Sequence, residues 1–315
     1  MSILPRRPKN QPTVTYIDNM KFNFSDLETN GFVILNNVVS MEEIDILIQN
    51  HKTASSSIQF TFSDKVNSDT GLPVSTLKST IESILKDINR ETTIKTDRVS
   101  SSGVYFNNNY IKLDWHQDHE VFYKTQDTFN NLNFWIPIIK PNADQNGIRI
   151  IPFKTLNEKI PEITEKYIIH KGAQRFKFKD NKTTIFNDDA GTHVTLDEDI
   201  LSLSEEINIS PGDILIFRGD VIHRTSADTT TNRVAIAIRS MYSEGIFSKS
   251  KFFNDCAFKK NQIQNNPRNY HHIINKLEEE PNREFFKINE FIWSTSFRGT
   301  SNHYGLRGVD DKNLL

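Results

Sequence analysis

The chain has one cysteine, no long apolar run and almost no excess of charge of either sign. Because Cys256 stands alone, the chain can form no intrachain disulfide and no thiolate cluster for zinc or iron–sulfur. No window approaches the roughly 18 apolar residues that a membrane-spanning helix needs. The 38 basic and 40 acidic residues give a net charge of −2, so no overall positive potential favours nucleic acid. Residues 1–15 contain no apolar run, so we expect no signal peptide and a cytoplasmic protein without nucleic-acid or membrane partners.

The chain does have many short strand-like segments between residues 98 and 243, preceded by helix-like ones. Apolar residues alternate or cluster over short stretches that are separated by turn signals rich in glycine, proline and asparagine. Ser40 and Glu43 predict a capping box at the start of one helix, and residues 77–88 keep helical spacing. This pattern predicts a mainly β domain, an antiparallel barrel or two-sheet roll with flanking helices.

We expect three parts along the 315 residues. Residues 1–20 form an N-terminal arm, and residues 21–244 form the β core together with its N-terminal helices. Residues 245–315 are enriched in Phe, Asn and Lys, and we expect them to pack on the core as a lid or as the contact of a homodimer. Residues 155–190 are polar and rich in lysine, and the pattern assigns no structure to them.

The strongest chemical signal is the stretch Trp115-His116-Gln117-Asp118. Side chains two apart in an extended segment share a face, so His116 and Asp118 point the same way. His223, which follows a strand and a turn, would complete two histidines and one carboxylate on one face of a metal. Such a set leaves about three coordination positions open and is diagnostic of non-haem Fe(II) oxygenases.

Arg233 begins an alternating strand and supplies a cation near this predicted metal centre. An inward-facing arginine there would be buried and would need an anionic partner. Its planar, two-pronged guanidinium suits the far carboxylate of 2-oxoglutarate, with a structural salt bridge as the alternative.

Four segments follow one another in an order and at intervals that are shared with one known family. They are 26–35 with its Gly-Phe pair, 115–118, 146–152 with its Asn-Gly turn, and 212–217 followed by His223 and Arg233. Together they resemble the phytanoyl-CoA dioxygenase-like (PhyH) family of Fe(II)/2-oxoglutarate-dependent oxygenases over about residues 24–243. One segment departs from the family, because Phe153-Lys154-Thr155 stands where a glycine, a hydroxyl residue and a histidine are usual.

The resemblance implies a double-stranded β-helix (jelly roll, cupin-like) that uses Fe(II), 2-oxoglutarate as co-substrate and O2. It assigns the metal ligands to His116, Asp118 and His223, and the co-substrate carboxylate to Arg233. The remaining cofactor-binding positions that we expect are Thr225 on the face of His223, Trp135 lining the pocket, and Asn133 as a donor to 2-oxoglutarate.

On the substrate side we expect two further residues. Tyr105 lies in the core or in the pocket wall. Arg239, six residues beyond Arg233 on the same strand, either anchors a substrate carboxylate or pairs with an acid at the rim of the barrel. His119 is adjacent to Asp118 and should therefore point away from the metal.

The resemblance further implies hydroxylation of an unactivated C–H bond in a small molecule, an amino acid or a natural-product intermediate of a biosynthetic pathway, with release of succinate and CO2. Because position 118 is Asp and not Gly or Ala, no coordination site is vacated for chloride, which favours hydroxylation over halogenation. Desaturation, cyclisation and epimerisation remain open. The alternatives are an oxygenase for a protein- or carrier-tethered substrate and a non-catalytic binding protein on the same scaffold.

Overall fold

The computed structural model describes residues 22–53, 59–61, 75–99, 102–107, 114–118, 131–140, 147–172, 174–225, 233–255, 257 and 275–292. The strands pair in antiparallel sheets, and their bounds are as follows. They are β1 Phe32–Leu35, β2 Gln59–Thr61, β3 Arg98–Val99, β4 Ser102–Asn107, β5 Leu132–Ile139, β6 Ile148–Ile151, β7 Gln174–Lys179, β8 Lys182–Asn187, β9 Thr192–Leu196, β10 Glu205–Ile207, β11 Ile214–Arg218, β12 Ile222–Thr225, β13 Val234–Met241, β14 Ile246–Ser248 and β15 Phe285–Lys287.

The helices are mostly short and precede or follow the strands. They are α1 Asp26–Thr29, α2 Met41–Thr53, α3 Ser75–Glu91, α4 Phe153–Lys159, α5 Pro161–Tyr167, α6 Lys249–Asp255 and α7 Asn289–Ile292, with a 3₁₀ turn at Ile200–Leu203. The predicted capping box is present, since the Glu43 amide donates to the Ser40 hydroxyl and the Glu43 carboxylate accepts from Ser40. Among the described helices, none combines the length and the apolar content that a membrane crossing would need.

The larger sheet has the order β1-β11-β5-β13-β4-β2, with β3 paired to β13. Alternate residues of its central strands face opposite sides, as period-2 alternation requires. Phe134, Ile136 and Ile236 lie in the outer core against α2 and α3, whereas Trp135 and Ala235 lie in the inner core between the sheets. The odd-numbered positions of β5 therefore line the interior of the roll.

The second sheet has the order β10-β6-β12 and faces the larger one. Beyond β12 it continues through the bridge of His223 to His116, and from His116 to Arg175 of β7. The two facing antiparallel sheets form a double-stranded β-helix, which confirms the predicted fold class. The predicted metal ligands lie on the second sheet and point towards the inner face of the first.

The segment 155–190, to which the sequence pattern assigned no structure, is well folded. It contains most of α4, all of α5 and the strands β7 and β8. The two strands form a three-stranded sheet with β9. In β7 the side chains of Phe176 and Phe178 alternate with exposed Arg175, Lys177 and Lys179. Lysine-rich composition hid this alternation, which is typical of a sheet with one solvated face.

Gly31 joins α1 to β1 in a backbone conformation that favours glycine, at φ +84°. A Cβ at this position would lie 2.4 Å from Val221 Cγ2 and 2.8 Å from Phe153 Cδ2. The Gly31 carbonyl also accepts a hydrogen bond from the Arg218 amide at 2.9 Å. Gly31 therefore lets the first strand approach the turn that leads to His223.

The described part of the C-terminal region contains a small two-stranded antiparallel sheet of its own, β14 with β15. Phe247 and Phe286 of these strands and Phe252 of α6 are buried, and they lie outside both core clusters. Ser243 attaches the start of this region to Asp97, through the amide and the hydroxyl. The predicted N-terminal arm lies outside the described residues, so the three-part division of the chain, with the role of the extension as lid or dimer contact, stays a prediction.

Candidate metal centre

His116 and His223 face each other across an antiparallel bridge, although 107 positions separate them in the sequence. The amide of each donates to the carbonyl of the other at 3.0 Å. Directly opposed residues in such a bridge carry their side chains on the same face. The two imidazole rings accordingly lie with their centroids 4.3 Å apart.

Both imidazoles are oriented through Nδ1. Nδ1 of His116 lies 2.6 Å from the carbonyl of Asp114, and Nδ1 of His223 lies 2.9 Å from the carbonyl of Val221. A carbonyl accepts only, so Nδ1 carries the proton and Nε2 is left as the ligand atom. The two Nε2 atoms each lie 3.9 Å from Oδ1 of Asp118.

Asp118 is held by one backbone and two side-chain contacts. Its amide donates to the carbonyl of Gly219 at 2.9 Å. The Asn133 amide donates to Oδ2, and Nη2 of Arg239 lies 3.5 Å from Oδ1. Nε of Arg239 also donates to Oδ1 of Asn133 at 3.0 Å, which closes a three-residue network.

This network keeps the carboxylate charged. Burial alone would raise the pKa of Asp118, but the charges of Arg239, His223 and His116 and the hydrogen bond from Asn133 outweigh it. The pKa of Asp118 is therefore lowered to about 2. At neutral pH this position offers a negatively charged oxygen ligand.

The three side chains fit a single metal ion. Their ligand atoms all lie within 4.8 Å of one another, and all three residues are buried. Atoms this close can converge on one ion, at a coordination distance of about 2.1 Å from each, after a small inward movement of the side chains. Two imidazole nitrogens and one carboxylate oxygen form a set that Fe(II) oxygenases use, with open positions left for other ligands.

Gln117, which lies between His116 and Asp118 in the sequence, fixes the metal-bearing segment on the side opposite to the ligands. Its Nε2 donates to the carbonyl of Ile168 at 2.8 Å and to that of Asp220 at 2.6 Å. Asp220 is fully buried and forms a two-pronged ion pair with Arg218. Sequence reasoning missed this ion pair, because its only signal was a charged turn, Arg218-Gly219-Asp220, which also suits a solvent-exposed loop.

The predicted co-substrate residues lie on facing inner surfaces. Arg233 is 2% exposed, its Nη1 donates to the carbonyl of Gly147 at 3.0 Å, and its guanidinium lies 5.9 Å from the Trp135 ring centroid. Burial lowers the pKa of Arg233 to about 10, although the negative charge of Glu206 acts to raise it. Thr225 is half-buried and lies two residues beyond His223 on β12.

Other predicted residues lie as follows. Tyr105 is in β4 opposite Ile236, and its side chain lies outside the described residues, as does His119. Of the two roles expected for Arg239, the structure places it against an acid, and that acid is the metal-ligating candidate Asp118. Asn133, expected to donate to 2-oxoglutarate, donates to the same carboxylate. The sequence did not reveal this contact, which depends on the pairing of Arg239 with Asn133 across two strands.

Comparison with solved structures finds many similar folds. One is the non-haem α-ketoglutarate-dependent epimerase SnoN from nogalamycin biosynthesis, with 9% identity and a TM-score of 0.41 over 71% of this chain and 83% of that one. A second is EvdO2 from Micromonospora carbonacea var. aurantiaca complexed with 2-oxoglutarate, with 15% identity and a TM-score of 0.43 over 70% of this chain and 89% of that one. A third is HygX from Streptomyces hygroscopicus with nickel and 2-oxoglutarate bound, with 10% identity and a TM-score of 0.42 over 70% of this chain and 86% of that one. At these identities and TM-scores, the likeness carries no argument about substrate. No curated protein sequence matches the chain.

The family model described as phytanoyl-CoA dioxygenase (PhyH) matches residues 27–235, which is more than half of the chain. The matched region contains the His-Asp-His cluster and Arg233, and it ends within β13. The chain therefore belongs to the phytanoyl-CoA dioxygenase family and is an Fe(II)- and 2-oxoglutarate-dependent oxygenase.

Proposed function

We propose that this oxygenase hydroxylates an unactivated C–H bond of a small molecule. The overall reaction combines R–H, O2 and 2-oxoglutarate to give R–OH, succinate and CO2. The observation that carries the proposal is the convergence of His116, Asp118 and His223, each less than 10% exposed, inside the roll. A reacting carbon can reach such a buried centre if it enters a pocket, as a small molecule does.

Each residue has a separate role in this proposal. His116, Asp118 and His223 hold Fe(II), which supplies the activation of O2 when it is bound. Arg233 binds the far carboxylate of 2-oxoglutarate, since a buried guanidinium gains most from a charged, two-pronged partner. Thr225 donates its hydroxyl to the same carboxylate, and Trp135 forms the wall beside Arg233.

Apolar side chains around the ligands exclude water from the centre. The ring of Phe217 lies 4.8 Å from that of His223, centroid to centroid, and Ile150 is paired with His223 on the neighbouring strand. Both side chains are buried. A dry surround strengthens the electrostatic contacts of the carboxylate and the guanidinium, and it protects reactive species from water.

Hydroxylation is favoured over halogenation because of Asp118. Its carboxylate occupies a position that would have to be vacant for a halide to bind beside the substrate. The contacts from Asn133 and Arg239 hold that carboxylate towards both histidines. We therefore expect oxygen, and not chloride, to be transferred to the substrate carbon.

The first test of this function is an anaerobic titration of the protein with Fe(II) and 2-oxoglutarate. We expect the weak visible charge-transfer absorption of the chelate in the wild type, its loss in His116→Ala, and its weakening in Arg233→Ala. The exposed variant Arg90→Gln on α3 should behave as the wild type. A wild type that binds neither Fe(II) nor 2-oxoglutarate would rule out the assigned roles.

The second test adds O2 and a broad panel of small molecules. We expect succinate release to rise with one class of compound, and the product to gain the mass of one oxygen atom derived from O2. Turnover with carrier-tethered compounds alone would favour the tethered substrate instead. Bound iron and 2-oxoglutarate without succinate from any compound would contradict the hydroxylase and favour a binding protein.

A further inference from the structure

The metal-facing surface of the second sheet continues beyond the metal ligands onto the inserted strands β7, β8 and β9. Across successive strands the directly opposed residues are, in order, His223, His116, Arg175, Phe186 and His193. Directly opposed residues carry their side chains on the same face of a sheet. These five side chains therefore form one row across the strands, with the two metal-ligating candidates at one end.

The row passes from a buried to an open surface within one strand spacing. His116 is buried, whereas the side chain of Arg175 is 56% exposed. Neighbouring strands lie about 4.8 Å apart, so the backbone of Arg175 is about 5 Å from that of His116, and the backbone of Phe186 is about 10 Å from it. A molecule that approaches the metal along this face passes over Phe186 and Arg175.

Arg175 is held in one orientation, with one end of its guanidinium left open. Its Nε donates to both carboxylate oxygens of Asp188, at 2.7 and 2.8 Å, and its Nη2 lies 2.7 Å from Oδ1 of the same residue. The Asp188 side chain is only 7% exposed, so it fixes the guanidinium from the protein side. Among the residues that the structure describes, none accepts a hydrogen bond from Nη1. Two oriented N–H groups thus remain for a ligand.

A second cation lies beside Arg175 on the same face. Lys177 is two residues further along β7, and its ammonium lies 5.2 Å from the centroid of the Phe186 ring. The guanidinium carbon of Arg175 lies 5.9 Å from the same centroid, and His193 stacks on the ring with the centroids 5.7 Å apart. The ring therefore lies between two groups that only donate hydrogen bonds, both of which favour a charged oxygen acceptor.

We propose that Arg175 and Lys177 bind an oxyanion at the far end of the substrate while the reacting carbon lies at the metal. This inference rests on the proposed function and names its substrate class. The substrate is an elongated small molecule that carries a carboxylate or a phosphate about 10 Å from the carbon that is attacked, with the Phe186 ring beneath it. Because the row is built on paired strands, this distance selects among acids by their length.

The first experiment measures how affinity depends on charge and length. The full chain is loaded anaerobically with Fe(II) and excess 2-oxoglutarate, and binding is followed from the visible absorption of the chelate. The probes are straight-chain carboxylic acids and alkyl phosphates of increasing length, each matched with the uncharged amide or alcohol. We expect acids that reach about 10 Å to bind about tenfold more tightly than their uncharged analogues, and shorter acids to show no such preference. The tighter of the two series identifies the oxyanion.

The second experiment measures where the oxyanion lies. With Mn(II) in place of Fe(II), the nuclear relaxation of the bound phosphate phosphorus or carboxyl carbon gives its distance from the metal. We expect about 10 Å. An oxyanion that coordinates the metal directly would lie far closer, and that result would overturn the inference.

Two variants test the two cations separately. Arg175→Gln should weaken acid binding about tenfold, and Lys177→Gln about three- to fivefold, with the uncharged analogues and 2-oxoglutarate bound as in the wild type. The matched control is Lys182→Gln, which lies on the same face at the other end of β8 and pairs with Asp197. It should leave acid binding unchanged. If loss of the ion pair to Asp188 unfolds Arg175→Gln, Lys177→Gln and the measured distance decide.

The inference is wrong if acids of every length bind like their uncharged analogues, or if Lys177→Gln binds them as the wild type does. Both results can occur in a protein that forms the chelate and releases succinate. A protein that forms no chelate would instead contradict the proposed function itself. The two failures are therefore distinguishable.

Discussion

Replacement of Arg233 by Gln should make the ligand-free protein more stable while it weakens the binding of 2-oxoglutarate. Burial lowers the pKa of this guanidinium from 12.5 to about 10. At about 1.4 kcal/mol per pKa unit, the folded state disfavours the charged side chain by about 3 kcal/mol. At pH 7 the Arg233 guanidinium is protonated in both the folded and the unfolded state, so the full free-energy penalty of burying its charge is present. The penalty declines as the pH rises through 10, because the folded protein then releases the proton.

The expected net gain in the free energy of unfolding is about 2 kcal/mol. It is smaller than the penalty because Arg233→Gln also loses the hydrogen bond from Nη1 to the Gly147 carbonyl, which contributes about 1 kcal/mol. Urea unfolding of the ligand-free protein at pH 7 measures the difference. Arg149→Gln is the matched control, since Arg149 is a third exposed and contacts Ser204 and Glu206 on the outer face. That change should lower stability by up to about 1 kcal/mol.

Addition of Ni(II) and 2-oxoglutarate should reverse the order of the two proteins. The wild type gains stability in proportion to the logarithm of the ligand concentration over Kd, and Arg233→Gln gains far less because the carboxylate has lost its partner. If the ligand-free Arg233→Gln protein is no more stable than Arg149→Gln, the argument from burial of the charge is refuted. If 2-oxoglutarate stabilises Arg233→Gln as it does the wild type, the assigned role of Arg233 is wrong.

Three further predictions concern the backbone, the carboxylate and its support. Gly31→Ala should lower the free energy of unfolding, measured with urea, by about 2–5 kcal/mol, because it strains the backbone and brings the new Cβ into the clash described above. The control is Gly191→Ala, which is also at positive φ but has no atom within 4 Å of the new Cβ, and it should lower this free energy by only about 1–2 kcal/mol. Asp118→Asn should lower the free energy of unfolding of the ligand-free protein by about 2 kcal/mol between pH 7 and pH 4, because the pKa of Asp118 is lowered to about 2 in the folded state. This difference between variant and wild type should vanish as the pH falls towards 2. A difference that is the same at every pH would contradict the lowered pKa. Asn133→Leu should reduce metal affinity about ten- to a hundredfold, because the Asp118 carboxylate loses a hydrogen-bond donor and Arg239 loses an acceptor. Competition with a chelating indicator measures the affinity, and an unchanged circular dichroism spectrum shows that the fold is retained.

The sequence predicted the local parts of this molecule well. The H-x-D spacing places His116 and Asp118 on one face because a two-residue period is a property of any extended segment. Ser40 and Glu43 form the capping box that their spacing predicts. These features depend on contacts between residues only two or three positions apart, and such contacts can be inferred from the order of residues alone.

The parts that were missed depend on which strands become neighbours. The contact of Arg239 with Asn133 requires a particular register between β13 and β5, which no local spacing specifies. The sequence therefore left Arg239 with two alternative roles and gave Asn133 a different partner. The segment 155–190 was missed for another reason: its alternation of aromatic and cationic residues was present, but its lysine content resembles that of a loop.

The pairing of β7 with the metal-bearing segment has a consequence for aggregation. The amide of Gln117 donates to the carbonyl of Gln174, and the amide of Phe176 donates to that of Trp115, so the ligand segment is bonded on both sides. Without β7 its outer groups would form an open sheet edge, which can recruit strands from other chains. The lysine-rich insertion thus covers this edge with β7, and β8 and β9 in turn cover the outer side of β7, so that the metal-bearing segment is not exposed to strands from other chains.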